Sequence, residues 1–430
     1  MLWTLGIAFI VTVGMGVPIT FCLGLSALAY FLQMGNLKML MVIPHKMFGA
    51  IDSFPMLAVP FFILAGELMV ASGTLDRLIR LSDLLVGRIR GGLAHVNIVS
   101  NMFMAGISGS AVADAAAIGG IMIPGMKQQG YDTKFSCGVT GAAATIGPII
   151  PPSIAMVLYA MIYQHVTIAG LFITGVVPGA FMGFGLMIVS WFIAKKRNYP
   201  RIVEPWPLKK IFQVVRDSFF PLLMPLIIVG GIVGGVFTAT EASCAAVIYA
   251  LFLGFFVTRK LHLKDLPRIA VRASIVTSVV LMLFATGSVI SWLIITHHIP
   301  ELLGNWLQSV SANWTVFVTL VMIFLLIMGC LVDPGSSLIM FVPIFAPIAA
   351  SYQMNPYHFA VMFVLNLQIG LLTPPVGLIL FLMARLGDIS LEEVVKGTWP
   401  FIITLIAIMG VMVYFPETIM WFPRLFGIGK

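Results

Sequence analysis

Ile146-Gly147-Pro148-Ile149-Ile150-Pro151-Pro152 recurs 223 positions later as Ile369-Gly370-Leu371-Leu372-Thr373-Pro374-Pro375. Both copies lie inside long apolar stretches. Proline removes a backbone donor and clashes with the preceding turn, so a double proline interrupts a helix at that point. The same offset pairs Gly106 with Gly329 and Pro124 with Pro347. A helix broken at matching places in two halves of a membrane chain points to a secondary transporter built from structural repeats.

Of the 430 residues, 60% are hydrophobic and 9% charged, and mean hydropathy is +1.07. That balance excludes a soluble domain and indicates a polytopic, all-α membrane protein. The first apolar run, 2–19, has no basic flank before it and no small-residue cleavage site, so a retained helix is expected there rather than a signal peptide. The four cysteines lack metal-ligand spacing and are read as packing residues. The net charge of +8 does not indicate nucleic acid, because half of the 24 Lys and Arg fall in two loops, 195–216 and 259–272, that flank apolar spans.

Apolar runs and breakers set the order of elements. Two helices are expected within 2–33, then a loop, a span at about 55–72 and an amphipathic helix over 74–90. A hairpin follows at about 93–126, with arms 93–107 and 111–126. Next come a broken helix, 132–161, and a span, 168–194. These close a first repeat, 1–200, joined by a basic linker, 201–216, to a second repeat, 217–430. The second repeat is read as spans 217–237, 240–258 and 272–296, then a short arm. A hairpin at about 312–350, a broken helix at about 355–384 and a last span, 398–421, complete it. The hairpin arms are near the lower limit for crossing a bilayer, since about 20 residues are needed. Each pair meets at a small polar tip, Gly106-Ile107-Ser108-Gly109-Ser110 or Val332-Asp333-Pro334-Gly335-Ser336-Ser337. Both are read as re-entrant hairpins, since irregular backbone at that depth must be buried in protein or line a wet cavity.

Five crossings per half make the second repeat inverted relative to the first. With 195–216 placed inside, segments 74–92, 127–134, 195–216, 259–272 and 385–396 hold 20 of the 24 Lys and Arg. Lys38, Lys46, Arg424 and Lys430 fall outside. The positive-inside rule supports that threading.

The chain has no Gly-x-x-x-x-Gly-Lys-Ser/Thr loop, so the driving force is expected from an ion or solute gradient. Broken helix ends expose carbonyls and N–H groups that suit a cation or an anionic group. Ser108, Ser110 and Asp114 are candidates to meet Thr145 and the carbonyls of 147–153 around one Na⁺. Asp333, Ser336, Ser337 and Thr373 are candidates for a second. Gly109, Pro151, Pro152, Ser153, Gly335, Pro374 and Pro375 are candidate substrate contacts. Intramembrane carboxylates such as Asp114 and Asp333 are costly and read as functional. An N-cap for the helix beginning at Pro334 is the structural alternative for Asp333. Glu67 and Glu241 are read as structural carboxylates near helix ends. Two short enzyme-like motifs are present. Gly106-Ile107-Ser108-Gly109 with His95 is similar to a rhomboid-type protease motif, and Tyr131-Asp132 with Asp333 to an aspartyl dyad. Neither explains the duplication, and no catalytic residue is expected.

Three runs carry a family resemblance: 91–97 (Gly-Gly-Leu-Ala-His-Val-Asn), 105–114 (Ala-Gly-Ile-Ser-Gly-Ser-Ala-Val-Ala-Asp) and 145–153 (Thr-Ile-Gly-Pro-Ile-Ile-Pro-Pro-Ser). With Phe62-Ile63-Leu64-Ala65-Gly66-Glu67 and the second double proline, the chain resembles the large membrane subunit of tripartite ATP-independent periplasmic (TRAP) transporters over nearly its whole length. The resemblance implies an elevator-type, Na⁺-coupled symporter of the ion-transporter superfamily in the bacterial inner membrane. It places the Na⁺ ligands at Ser108, Ser110, Asp114 and Asp333. It also implies two partners, a small four-helix membrane subunit (Q type) and a periplasmic substrate-binding protein (P type). The small subunit is expected as a separate chain. The substrate class implied is an organic acid: sialic acid first, then a C4-dicarboxylate or another sugar acid. The competing class is a uniporter or channel for small anions.

Overall fold

The computed structural model describes residues 2–35, 37–201, 206–310 and 313–429. Residues 202–205 of the expected linker, position 312 at the expected start of the second hairpin, and Lys430 lie outside these. Among the described residues the chain is helical, with no strand.

Helices α1 (Leu2–Gly14) and α2 (Ile19–Gln33) pack as a pair. A 3₁₀ turn, Leu37–Met41, then leads into α3 (Val42–Ile51), where the sequence reading expects a loop. Ten residues holding Pro44, His45 and Lys46 show too little periodicity to be read as a helix. Pro44 is tolerated in the first turn, where no intrahelical donor is lost, and packing against a later helix supplies the rest. A 3₁₀ turn, Phe54–Leu57, continues as α4 (Ala58–Ala71), and together they are long enough to span. Helix α5 (Thr74–Val86) is amphipathic and buries Leu75, Leu78 and Leu81.

The first hairpin is α6 (Gly92–Ser108) and α7 (Ala111–Gln128). The first broken helix is α8 (Thr133–Ala144) and α9 (Ile154–Ile162), followed by α10 (Ile168–Lys196). The second half begins with α11 (Leu208–Val233), α12 (Ala239–Phe252) and α13 (Leu266–Thr296). Helix α14 (Ile299–Val310) leads to the second hairpin, α15 (Trp314–Leu331) and α16 (Pro334–Ser351). The second broken helix is α17 (Pro356–Gly370) and α18 (Leu378–Gly387). The last span, α19 (Leu391–Tyr414), stops seven residues before 421, because Pro416 cannot donate and drives Phe415 out of the helical region. A short α20 (Glu417–Leu425) follows.

Polar bonds gather the segments expected inside onto one end of the molecule. Lys260 pairs with Asp76 at 3.0 Å, Arg197 with Asp132 at 2.6 Å, and Lys134 with Glu393 at 3.0 Å. Arg90 donates to Asn198 at 2.9 Å, and Arg201 to the Arg88 carbonyl at 3.1 Å. Exposed pairs of this kind each contribute only ~0–1 kcal/mol, so they report position more than stability. Loops from the other side meet separately: Thr167 with Tyr357, Asn355 with the Gly429 carbonyl, and Gln308 with Ser351.

Both hairpin tips lie inside the protein. Gly109, Ser336 and Ser337 are buried, and each tip abuts the break of its own half. A Cβ on Gly109 would sit 2.6 Å from the Pro152 carbonyl, while Gly377 N–H donates to the Cys330 carbonyl at 3.2 Å. In the second half α15 crosses α17 backbone on backbone. A Cβ on Gly370 would meet the Gly329 carbonyl carbon at 2.5 Å. Small residues permit such crossings within a bilayer, where van der Waals packing must hold helices together.

Candidate ion and substrate site

Nine residues, 145–153, separate α8 from α9, and seven, 371–377, separate α17 from α18. Each break ends where the chain re-enters a helix. Ser153 caps α9 by accepting from Met156 N–H at 3.2 Å, and its hydroxyl donates to the Pro148 carbonyl. Gly377 opens α18 at φ +59°, a left-handed conformation that favours glycine.

The first site is closed. Asp114 sits one turn inside α7 with no exposed surface. One carboxylate oxygen, Oδ1, accepts from the Ser108 hydroxyl, and the other, Oδ2, has no hydrogen-bond partner among the described residues. That free oxygen points at the break: a Cβ added to Gly147 would lie 2.5 Å from it. Glycine at 147 therefore admits the carboxylate against the broken backbone. Ser110 caps α7, accepting from Ala113 N–H at 3.4 Å, and its own N–H donates to Ser108 Oγ at 3.2 Å. Thr145 is buried and donates its hydroxyl to the Ala142 carbonyl at 2.7 Å, which leaves its lone pairs free to accept or coordinate. Pro151, Pro152 and Ser153 are also buried.

The second site is more open. Asp333 caps α16: Oδ2 accepts from Ser336 N–H at 3.0 Å and Oδ1 from the Ser336 hydroxyl. Capping chemistry thus occupies both of its oxygens. Ser337 is fully buried and its hydroxyl lacks a partner. Thr373 donates to the Ile369 carbonyl at 2.8 Å. Gly335, Thr373 and Pro374 are half-buried and Pro375 is exposed.

The 223-residue offset relates the two sites differently from the motif reading. It places Ser110 on Asp333 and Asp114 on Ser337, so each half has one carboxylate and one hydroxyl at the same two positions, exchanged. It also places Thr145 on Gln368 rather than on Thr373. Gln368 is 2% exposed, and its Oε1 has no partner; the same holds for Oδ1 of the fully buried Asn366. Gln368 and Asn366 were missed as candidates, although the offset alone points to the first.

Glu241 completes a capping box with Thr238, in keeping with a structural carboxylate at a helix start. Glu67 differs from expectation. It lies four residues before the C-terminal end of α4, where the helix dipole disfavours a carboxylate, and it bonds no described residue. Its neighbour Gly66 touches the first tip, with the Ser108 Cα 3.5 Å from the site of an added Cβ.

On the side expected to face outward, a cavity of about 790 Å³ separates α3, α13 and α14 from α16 and the end of α9. Lys46 projects there, its ammonium 5.4 Å from the centre of the Trp292 ring. The same face of α13 comes so near α16 that a Cβ on Gly287 would lie 1.9 Å from the Ile339 side chain.

Residues 6–418 match the family profile described as the DctM component of the tripartite ATP-independent periplasmic transporter. The chain belongs to this family. The DctM-family permease is 40% identical over 420 residues to the uncharacterized protein YgiK of Salmonella typhimurium, covering 97% of this chain and 96% of that one. It is 36% identical over 416 residues to the sialic acid TRAP transporter large permease SiaM of Vibrio cholerae, covering 96% and 97%. It is 32% identical over 426 residues to the C4-dicarboxylate large permease DctM of Rhodobacter capsulatus, covering 96% of each. The crystal structure of the Alcanivorax borkumensis YdaH transporter, described as having an unusual topology, matches with a TM-score of 0.64 over 90% of each chain at 13% identity, a likeness of fold. Membership makes the permease a multi-pass inner-membrane component of a tripartite transport system, and not an enzyme. Among the described residues, eight helical segments are long and apolar enough to cross the membrane.

Proposed function

We propose that the permease is the membrane-embedded subunit of a Na⁺-coupled importer of an organic acid. Sialic acid is the leading substrate, and a C4-dicarboxylate or another sugar acid comes next. A periplasmic binding protein delivers it, and a small four-helix membrane subunit completes the complex. The two hairpins and two broken helices move as an elevator against the remaining helices. The observation that carries Na⁺ coupling is the free Asp114 Oδ2 beside Gly147. A buried carboxylate oxygen with no partner is costly unless a cation completes it, and hard cations take oxygens of this kind. Two sites give at least two co-transported Na⁺, one at Ser108, Ser110, Asp114 and Thr145, the other at Asp333, Ser336, Ser337 and Thr373. The substrate lies between them against Gly109, Gly335 and the proline breaks, its carboxylate held by the N-termini of α7 and α16. Sialic acid leads because the sialic acid relative matches over nearly the whole chain. The C4-dicarboxylate relative is only slightly more distant, which keeps that substrate next in order.

The test is uptake of labelled N-acetylneuraminic acid and succinate into proteoliposomes holding the permease with both partners, with and without an inward Na⁺ gradient. Uptake that requires Na⁺ in wild type and is lost in Asp114→Asn and Asp333→Ala supports the reading. Uptake indifferent to Na⁺ sinks it in favour of a uniporter or channel.

A further inference from the structure

The outer cavity is not absorbed by the ion sites. Its volume of about 790 Å³ lies within the ~300–1,000 Å³ range of small-molecule pockets. Its wall on α16 includes Ile339, three residues past Ser336, or about 4.5 Å of helix rise from the second tip. The cleft therefore runs from the outer surface to within one turn of the candidate substrate site. One hydroxyl ties its walls across, Ser291 donating to the Ile339 carbonyl at 3.2 Å, while Ser288 on the α13 wall has the Ala285 carbonyl at 2.7 Å and the Lys46 carbonyl at 3.1 Å as acceptors.

The charge in this cleft is one-sided. Glu301 is its one acidic lining residue, and it is taken by His298 at 3.1 Å. Lys46 is half-buried and forms no ion pair among the described residues, with the Trp292 face as its ring neighbour. Beside it His45 adds a second basic group. A cation without a carboxylate, next to an aromatic face and several hydroxyls, is the chemistry that recognises a small carboxylic acid: ammonium to carboxylate, ring to carbon skeleton.

We infer that this cleft is an outer vestibule for the carboxylate substrate and that Lys46 is the residue that receives its charge. The inference rests on the organic-acid reading of the substrate, and it adds the specificity-determining cation that neither hairpin tip contains. Lys46 holds the acid over Trp292 one turn outside the second tip, and the acid passes inward when the α13–α16 seam opens.

Two measurements separate this inference from the function it extends. In a Cys244→Ser background, Ser288→Cys is modified from outside with anionic and cationic methanethiosulfonate reagents. The anionic-to-cationic rate ratio is expected to exceed that at Asn305→Cys on the outer surface. Adding Lys46→Gln should lower it about tenfold, the effect of one unit charge at close range in a partly screened site. An unreactive Ser288→Cys, or a ratio unmoved by Lys46→Gln, overturns the vestibule whatever the permease transports. The second measurement is concentration-dependent uptake of N-acetylneuraminic acid. Lys46→Gln should raise KM at least tenfold with the maximal rate kept, and Lys46→Arg should restore it. Na⁺-driven uptake with an unchanged KM in Lys46→Gln would leave the importer standing and remove Lys46 from it. If neither acid enters in wild type, the substrate reading fails, and the thiol ratio still decides the cleft.

Discussion

Asp114 is the residue on which the proposed ion coupling turns. Its carboxylate has surrendered water, and one hydroxyl satisfies only half of it. Asp114→Asn should abolish the difference in melting temperature between NaCl and KCl, because the group that distinguishes the bound state is gone. In KCl alone the variant should melt no lower than wild type, since an uncompensated buried charge is itself unfavourable. A preserved Na⁺ shift would move the ion elsewhere. Gly147→Ala tests the same contact from the other side. The new methyl would stand 2.5 Å from Oδ2, so the carboxylate must swing away or the break must shift. The expected result is loss of the Na⁺ shift with a cost of about 1–3 kcal/mol, read as lower thermal stability. Asp114 was legible in the sequence because charge within an apolar run is rare. Its free oxygen was not, because which oxygen lacks a partner depends on Ser108 and Gly147 folding against it. Asp333 shows the converse: its Asp-Pro-Gly-Ser-Ser context announced a cap, and each oxygen accepts one bond there while keeping a lone pair for a cation.

At the scale of elements, one glycine pair serves two ends. In the second half Gly329 and Gly370 let α15 and α17 cross in direct backbone contact, while their counterparts Gly106 and Gly147 face Pro225 and Asp114. Gly370→Ala should therefore destabilise by about 1–3 kcal/mol through overpacking. Gly120→Ala, in α7 with nothing within 4 Å of the new methyl, should be neutral or stabilising by up to ~1 kcal/mol. Thermal melts of the two variants side by side separate close packing from helix propensity; equal melts would refute the crossing. The breaks and hairpins were readable because double prolines and Gly/Ser tips act locally through backbone chemistry. Helix α3 was not, because ten residues with Pro44 and Lys46 are helical through their packing on α13, a contact more than 200 residues away in sequence. Pro124 and Pro343 sit within continuous helices, in line with the uninterrupted hairpin arms expected there. Gln368 is inconspicuous in the sequence because Thr373 is the visible hydroxyl beside the second double proline, although the offset that superposes the two Pro-Pro motifs pairs Thr145 with Gln368.

For the molecule as a whole, orientation follows from where the charge lies. Lys260 with Asp76, Arg197 with Asp132 and Lys134 with Glu393 fasten the five segments expected inside into two groups, and the Arg90–Asn198 bond joins the groups by linking 74–92 to 195–216. A chain threaded the other way would place 20 of its 24 basic residues in the periplasm, against the charge asymmetry that orients membrane proteins. Single cysteines decide the point. Lys264 lies before α13 in the basic loop, and His165 in the exposed turn between α9 and α10. With Cys244→Ser as background, the remaining thiols, Cys22, Cys137 and Cys330, are buried. In intact cells a membrane-impermeant maleimide should label His165→Cys and spare Lys264→Cys, and permeabilisation should expose the latter. The reverse pattern would invert both hairpins at once: the Lys46 cleft would open to the cytoplasm, and the path from binding protein to second tip would lose its entrance. Labelling of both sites in intact cells would instead separate segments that the inner ion pairs hold together, and the five-crossing count per half would fall with them.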